Sequence, residues 1–232
     1  MNIDPSSEQS IQFDLFGNRI DGDLTENSAV VCFTKGTLIS TSNGFVAIEE
    51  LRIGDLVHTK DAGTQPIRWI GSRTVGTCEL LAEPKLYPIK ISVPGGVPLR
   101  VSRQHRLLIS GKLSERMFGC DEVLIAAKDL LSHSSVEIDK NLTEVTYLHL
   151  LFDEHQIINA NGIAAESLYL GEEGVKAMTS AARKELTALF PQFADDPSLV
   201  SGDLCRVAQS GKTAKKLAFR AEKNGKGLVA HL

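Results

Sequence analysis

The sequence predicts a mainly β chain of many short strands, followed by a helical C-terminal extension. Two observations predict the β part. Short apolar or alternating runs recur at 37–41, 45–48, 56–59, 66–70, 88–93, 107–109, 123–125 and 145–152, and their length and period suit half-buried strands. Turn formers separate them, as in Ser42-Asn43-Gly44 and Asp61-Ala62-Gly63, where Gly and Asn accept backbone angles that other residues resist. A third observation predicts the extension. Val175, Met178, Ala182, Leu186 and Leu189 recur at three and four, and the pattern stops at Phe190-Pro191, as an amphipathic helix does. A second helix-compatible stretch follows at 217–222. The chain therefore divides into an acidic leader or N-terminal arm at 1–29, a β domain at 30–170 and a helical extension at 171–232.

Composition bounds the function. Of 232 residues, 42% are hydrophobic and 23% charged, with a net charge of −4; this is ordinary for a globular protein and gives no general pull toward nucleic acid. The charge is uneven. Six acids (Asp4, Glu8, Asp14, Asp21, Asp23, Glu26) face Arg19 alone in the first 31 residues, while seven bases face Asp203 and Glu222 in residues 203–232. The basic end lacks interleaved aromatics, so it reads as a solvated face rather than a nucleic-acid surface. Gly211-Lys212-Thr213 lacks the earlier glycine of a phosphate-binding loop, since Arg206 stands there. Four cysteines (Cys32, Cys78, Cys120, Cys205) have no paired spacing, which argues against zinc and against a disulfide framework. No apolar run is long enough to span a membrane. The polar start Met1-Asn2-Ile3-Asp4 does not read as a classical signal peptide, so synthesis in the cytoplasm is expected, with signal-independent export left open.

One cysteine has the setting of a nucleophile. Cys32 opens the first compact β pattern, Val30-Val31-Cys32-Phe33-Thr34-Lys35-Gly36-Thr37, and Val101-Ser102-Arg103-Gln104-His105 offers a hydroxyl and an imidazole with two residues between them. A thiol so placed can attack the carbonyl just before it, an N–S acyl shift. Imidazole is the natural proton carrier near neutral pH, and a hydroxyl can hydrogen-bond an oxygen on which charge develops. The β-branched Val31 shields its carbonyl and should slow the attack.

At these residues the chain resembles the Hint superfamily, which includes the autoprocessing domain of hedgehog proteins, inteins and bacterial intein-like domains. Cys32-Phe33-Thr34 with Gly36-Thr37, then Leu51, Gly54-Asp55 and Val57, is similar to that family's first block. Ser102-Arg103-Gln104-His105 stands where its Thr-x-x-His stands, and His155 followed by Ala160-Asn161-Gly162-Ile163 resembles its late block. The stretch Gln65 to Gly71 is similar to bacterial Hint-domain proteins. The resemblance covers roughly 30–168 and implies a β horseshoe with pseudo-twofold halves. It implies catalytic roles for Cys32 as nucleophile, Ser102 on the carbonyl oxygen, His105 at the departing nitrogen, and His155.

Departures narrow the reading. Glu166 and Ser167 occupy the places of the His-Asn with which splicing inteins end, so splicing is not expected. Ser72-Arg73 offers no carboxylate where hedgehog-type domains carry an Asp, which counts against sterol transfer. Ser102 keeps the hydroxyl of the usual Thr but not its stiffening methyl. The leading expectation is thus single-turnover cis cleavage of the chain's own N-terminal segment, resolved by water or a small nucleophile, with no cofactor, no metal, and a protein partner left unknown. The alternatives are a non-catalytic Hint-like scaffold and, from a third class, a trans-acting cysteine hydrolase. His149, inside an apolar run, reads as core.

Overall fold

Alternating side chains make each short run a strand with one face toward the interior, and the turn residues between them set which strands pair. The computed structural model describes residues 31–169 and 203–231, together with the backbone of two short strands, β1 (Gln12–Phe13) and β2 (Arg19–Ile20), which pair antiparallel. The helix expected over 175–189 lies outside the described residues.

The remaining strands are β3 (Phe33–Thr34), β4 (Leu38–Thr41), β5 (Gly44–Ala47), β6 (Leu56–His58), β7 (Thr64–Pro66), β8 (Trp69–Val75), β9 (Ile89–Ile91), β10 (Leu99–Val101), β11 (Arg106–Ser110), β12 (Glu122–Ala126), β13 (Val136–Ile138), β14 (Val145–Leu151), β15 (Ile157–Ala160), β16 (Ile163–Glu166) and β17 (Ala208–Gln209). They build two open sheets. One has six strands in the order β13-β9-β10-β3-β14-β8; the other runs β17-β12-β11-β16-β15-β4-β6-β7, with β5 on β4. Within these two sheets every pairing is antiparallel except that of β12 with β17.

The six-stranded sheet separates two interiors. Register places Leu148 opposite Phe33 and His149 opposite Gly71. Period-two alternation then sends Phe33, Leu148 and Leu150 into the main core with Ile89, Ile91, Leu99 and Val101. Cys32, Trp69, Val75, Val145, Tyr147 and Leu151 belong to a second cluster, closed by Leu80 of helix α1 (Thr77–Ala82), Tyr87 and Leu168.

In the larger sheet β15 and β16 form a hairpin across Asn161-Gly162, both with positive φ (52° and 82°), the signature of a two-residue type I′ turn. The Asn161 side chain then ties the turn down, accepting from Leu38 N–H at 2.7 Å and donating to Pro98 O at 3.0 Å. Helix α2 (Lys112–Phe118) bridges β11 and β12. The helix expected at 217–222 is α3, and it is longer, Gly211–Lys223. Ala214, Leu217, Ala218 and Ala221 fall on one buried stripe that joins the main core. Its lysines and arginine are exposed, so the basic run is a solvent-facing surface.

Candidate functional site

Cys32 lies immediately before β3, at the edge between the two interiors, and is buried. Its place is fixed from the neighbouring strand. Val101 pairs with Phe33, and Ser102 N–H donates to Cys32 O at 2.9 Å. After β10 the chain turns, with His105 N–H donating to Ser102 O at 3.1 Å. The two-residue spacing between Ser102 and His105 is therefore one turn, and it brings both side chains to the Cys32 main chain.

The Ser102 hydroxyl meets the amide rather than the carbonyl. Cys32 N–H donates to Ser102 Oγ at 3.1 Å, so the hydroxyl stands at the nitrogen that an acyl shift would release. His105 is fully buried, edge-on to Phe33 with ring centroids 4.3 Å apart. Neither of its ring nitrogens makes a hydrogen bond among the described residues. Burial pulls its pKa down to about 4, partly opposed by the Glu166 charge and the nearby main chain of Cys32. The ring is neutral near pH 7.

His149 is the residue that sequence reasoning missed. The expectation placed it in the core; the structure places it on the Cys32 side of β14. Its Nδ1 lies 2.7 Å from Val31 O and its Nε2 lies 3.3 Å from Cys32 Sγ. A carbonyl only accepts, so the hydrogen of the neutral ring belongs on Nδ1 and the Nε2 lone pair faces the thiol. Burial lowers its pKa to about 4, with the Val31 carbonyl acting in the opposite sense, which preserves the neutral form this geometry needs. Burial also pushes the Cys32 thiol up, against the Ser102 hydroxyl and the positive charge of Arg73. Gly71 sits opposite His149, and the Trp69 indole lies across it: a Cβ at Gly71 would come 2.1 Å from the ring. The glycine thus lets an apolar ring cover the strand beside the imidazole.

His155 is held elsewhere. Its Nε2 is 3.2 Å from Glu166 Oε2, and its Nδ1 accepts from Cys205 N–H at 3.2 Å. Both ring nitrogens are engaged in this second, buried group, which also includes Arg106. The structure therefore gathers Cys32, Ser102 and His105, adds His149, and sets His155 behind them, on Glu166 rather than on Cys32. Among the described residues, no group of three or more His, Cys, Asp or Glu could hold a metal ion, and no helix is long and apolar enough to cross a membrane.

The Hint domain family profile matches residues 31–172, more than half of the chain. The chain belongs to the Hint domain family. Membership and the open two-sheet β architecture together meet the expectation of a mainly β Hint fold. Among solved structures this Hint domain is similar to the bacterial intein-like domain from Clostridium thermocellum, at 16% identity over 59% of this chain and 97% of that one, with a TM-score of 0.40. It is similar also to the gp41-1 intein, at 14% identity, 58% and 97% coverage and a TM-score of 0.37. For the MchDnaB-1 intein the values are 10%, 58% and 98%, and 0.39. Among curated proteins none matches this Hint domain.

Proposed function

We propose that the chain is an autoprocessing domain acting in cis: an N–S acyl shift at Val31–Cys32 followed by release of the segment before Cys32. One observation carries this reading, the His149 ring bridging 2.7 Å to Val31 O and 3.3 Å to Cys32 Sγ. As Sγ bonds to the Val31 carbonyl carbon, Nε2 takes the thiol proton. Nδ1–H meanwhile donates to the oxygen that gains negative charge, an electrostatic stabilisation aimed at the transition state. The carbon–nitrogen bond then breaks, and the Cys32 nitrogen gains one proton, matching the one the thiol lost. The Ser102 hydroxyl is hydrogen-bonded to that nitrogen. We assign His105, one turn beyond Ser102, as the carrier that relays the proton from His149 to it, so that both rings end neutral. The product is a Val31 thioester on Cys32, which water or a small thiol resolves. Ser167 has no amide side chain with which to attack the backbone, so splicing is not part of this reading.

A second reading, a non-catalytic Hint scaffold, is favoured by the burial that holds the Cys32 thiol in its protonated form. Intact-mass spectrometry separates the two. Incubated with dithiothreitol, the full chain is expected to split into residues 1–31 and 32–232, while Cys32→Ala stays whole. A wild-type chain as inert as Cys32→Ala would leave the scaffold reading standing.

A further inference from the structure

We propose that Glu166 is a positioning residue for His105: it clamps the peptide that follows His105 and supplies the fixed negative charge against which that ring takes up a proton. The proposal rests on the autoprocessing reading above. β16 pairs with β11 through Ala165 and Leu107, which sets Glu166 beside Arg106, the residue after His105. The Glu166 carboxylate is completely buried. Its Oε1 accepts from Arg106 N–H at 2.8 Å, and its Oε2 accepts from Arg106 Nη1 at 3.1 Å and lies 3.2 Å from His155 Nε2. Because His155 Nδ1 accepts from Cys205 N–H, the hydrogen of a neutral His155 ring belongs on Nε2 and is directed at Glu166. All three contacts to the carboxylate are then donors, which is the environment of an ionised group.

A buried carboxylate is costly unless its charge is paired and its oxygens are hydrogen-bonded. Here both conditions are met, yet none of these groups touches Cys32 or Val31 in the proposed chemistry. What the arrangement does is local to His105. It anchors the main chain on the C-terminal side of that ring, while the turn from Ser102 anchors the N-terminal side. It also sets a negative charge near an imidazole whose own nitrogens have no hydrogen-bond partner among the described residues. The ionisable groups that act on His105 are Glu166, whose charge favours the protonated ring, and His149, which opposes it. Arg106 and His155 act through Glu166. The bend at Cys205 completes the set by fixing the His155 tautomer.

Two readouts test this independently. In a Cys32→Ala background, where no cleavage can occur, the protonation midpoint of the His105 ring is followed by NMR of labelled histidine. Glu166→Gln keeps an oxygen for Arg106 N–H but removes the charge, and is expected to move the midpoint to lower pH by roughly one unit. Arg106→Gln, which removes the partly exposed guanidinium that offsets Glu166, is expected to move it the other way. With Cys32 restored, Glu166→Gln is expected to slow thiol-dependent cleavage about tenfold, and Glu166→Ala more, since the backbone clamp goes too. A His105 midpoint unmoved in folded Glu166→Gln, or shifted in the same direction by both charge variants, would overturn the proposal. If Glu166→Gln does not fold, a downward or null shift in Arg106→Gln is the contradicting result. A wild-type chain that does not cleave, with the midpoints moving as stated, would sink the autoprocessing reading alone.

Discussion

At the Cys32 sulfur the proposed acyl shift starts from an unfavourable position, because burial raises the thiol's pKa while it lowers that of the histidine beside it. Full transfer of the proton before attack would therefore be steeply uphill. Bonding of Sγ to the carbonyl carbon has to accompany the transfer, with Nδ1–H stabilising the oxygen at the same time. In the proposed mechanism this makes His149 the residue on which rate depends most. His149→Ala is expected to lower the rate of dithiothreitol-dependent cleavage by about 10²- to 10⁴-fold, the usual range for a positioned acid–base group; an unchanged rate in the intact-mass time course would remove it from the site. That Cys32, Ser102 and His105 come together was legible because their spacing is local or follows a motif. His149 was not, because a histidine within Val145-Thr146-Tyr147-Leu148-His149-Leu150-Leu151 has the neighbours of a core residue. What distinguishes it is a strand register that brings β3 and β14 together, and that pairing is not written in either strand. His155 was placed with the site by its resemblance to the family's late block; its ring is held by a buried carboxylate, Glu166.

At the scale of elements, composition and turn chemistry gave most of the strands, and the hairpin at Asn161-Gly162 has the backbone angles its residues favour. Strands of three residues such as β10 and β13 were harder to see, since so short a run shows little alternation. Helix α3 was seen over only part of its length because alanine supplies much of its apolar stripe and lysines crowd the intervals. Its packing nevertheless makes it part of the core. Ala164 N–H donates to Ala230 O and Ala230 N–H donates to Leu108 O, each at 3.0 Å, so the segment after α3 is hydrogen-bonded to β11 and β16 as well. Leu217→Ala is expected to destabilise the protein by about 2–5 kcal/mol, while Phe219→Ala, at a side chain that is exposed, stays within about 0.5 kcal/mol. Urea unfolding followed by circular dichroism checks both. Equal effects at the two positions would mean that α3 does not pack as described.

For the whole molecule, the buried neutral histidines link stability to pH. The unfolded His105 ring takes a proton near 6.5, whereas the native ring resists until about 4. Between those values the unfolded state binds more protons, so stability falls as pH drops through that window and is flat above it. The loss from His105 alone is up to about 3 kcal/mol, and His149 acts in the same sense. Urea midpoints from pH 8 to 4 should show the decline, and His105→Phe should flatten it; a midpoint that rises on acidification would contradict the burial of a neutral ring. The same enclosure suits the proposed function, in which one sulfur attacks one carbonyl within the chain. Hydroxylamine trapping tests that most directly. Added to the purified full chain, it should release residues 1–31 carrying a hydroxamate on Val31, a mass that Cys32→Ala and His149→Ala fail to yield at comparable rates. Complete absence of that mass from the wild-type chain, or its equal appearance from Cys32→Ala, would contradict a thioester at Cys32.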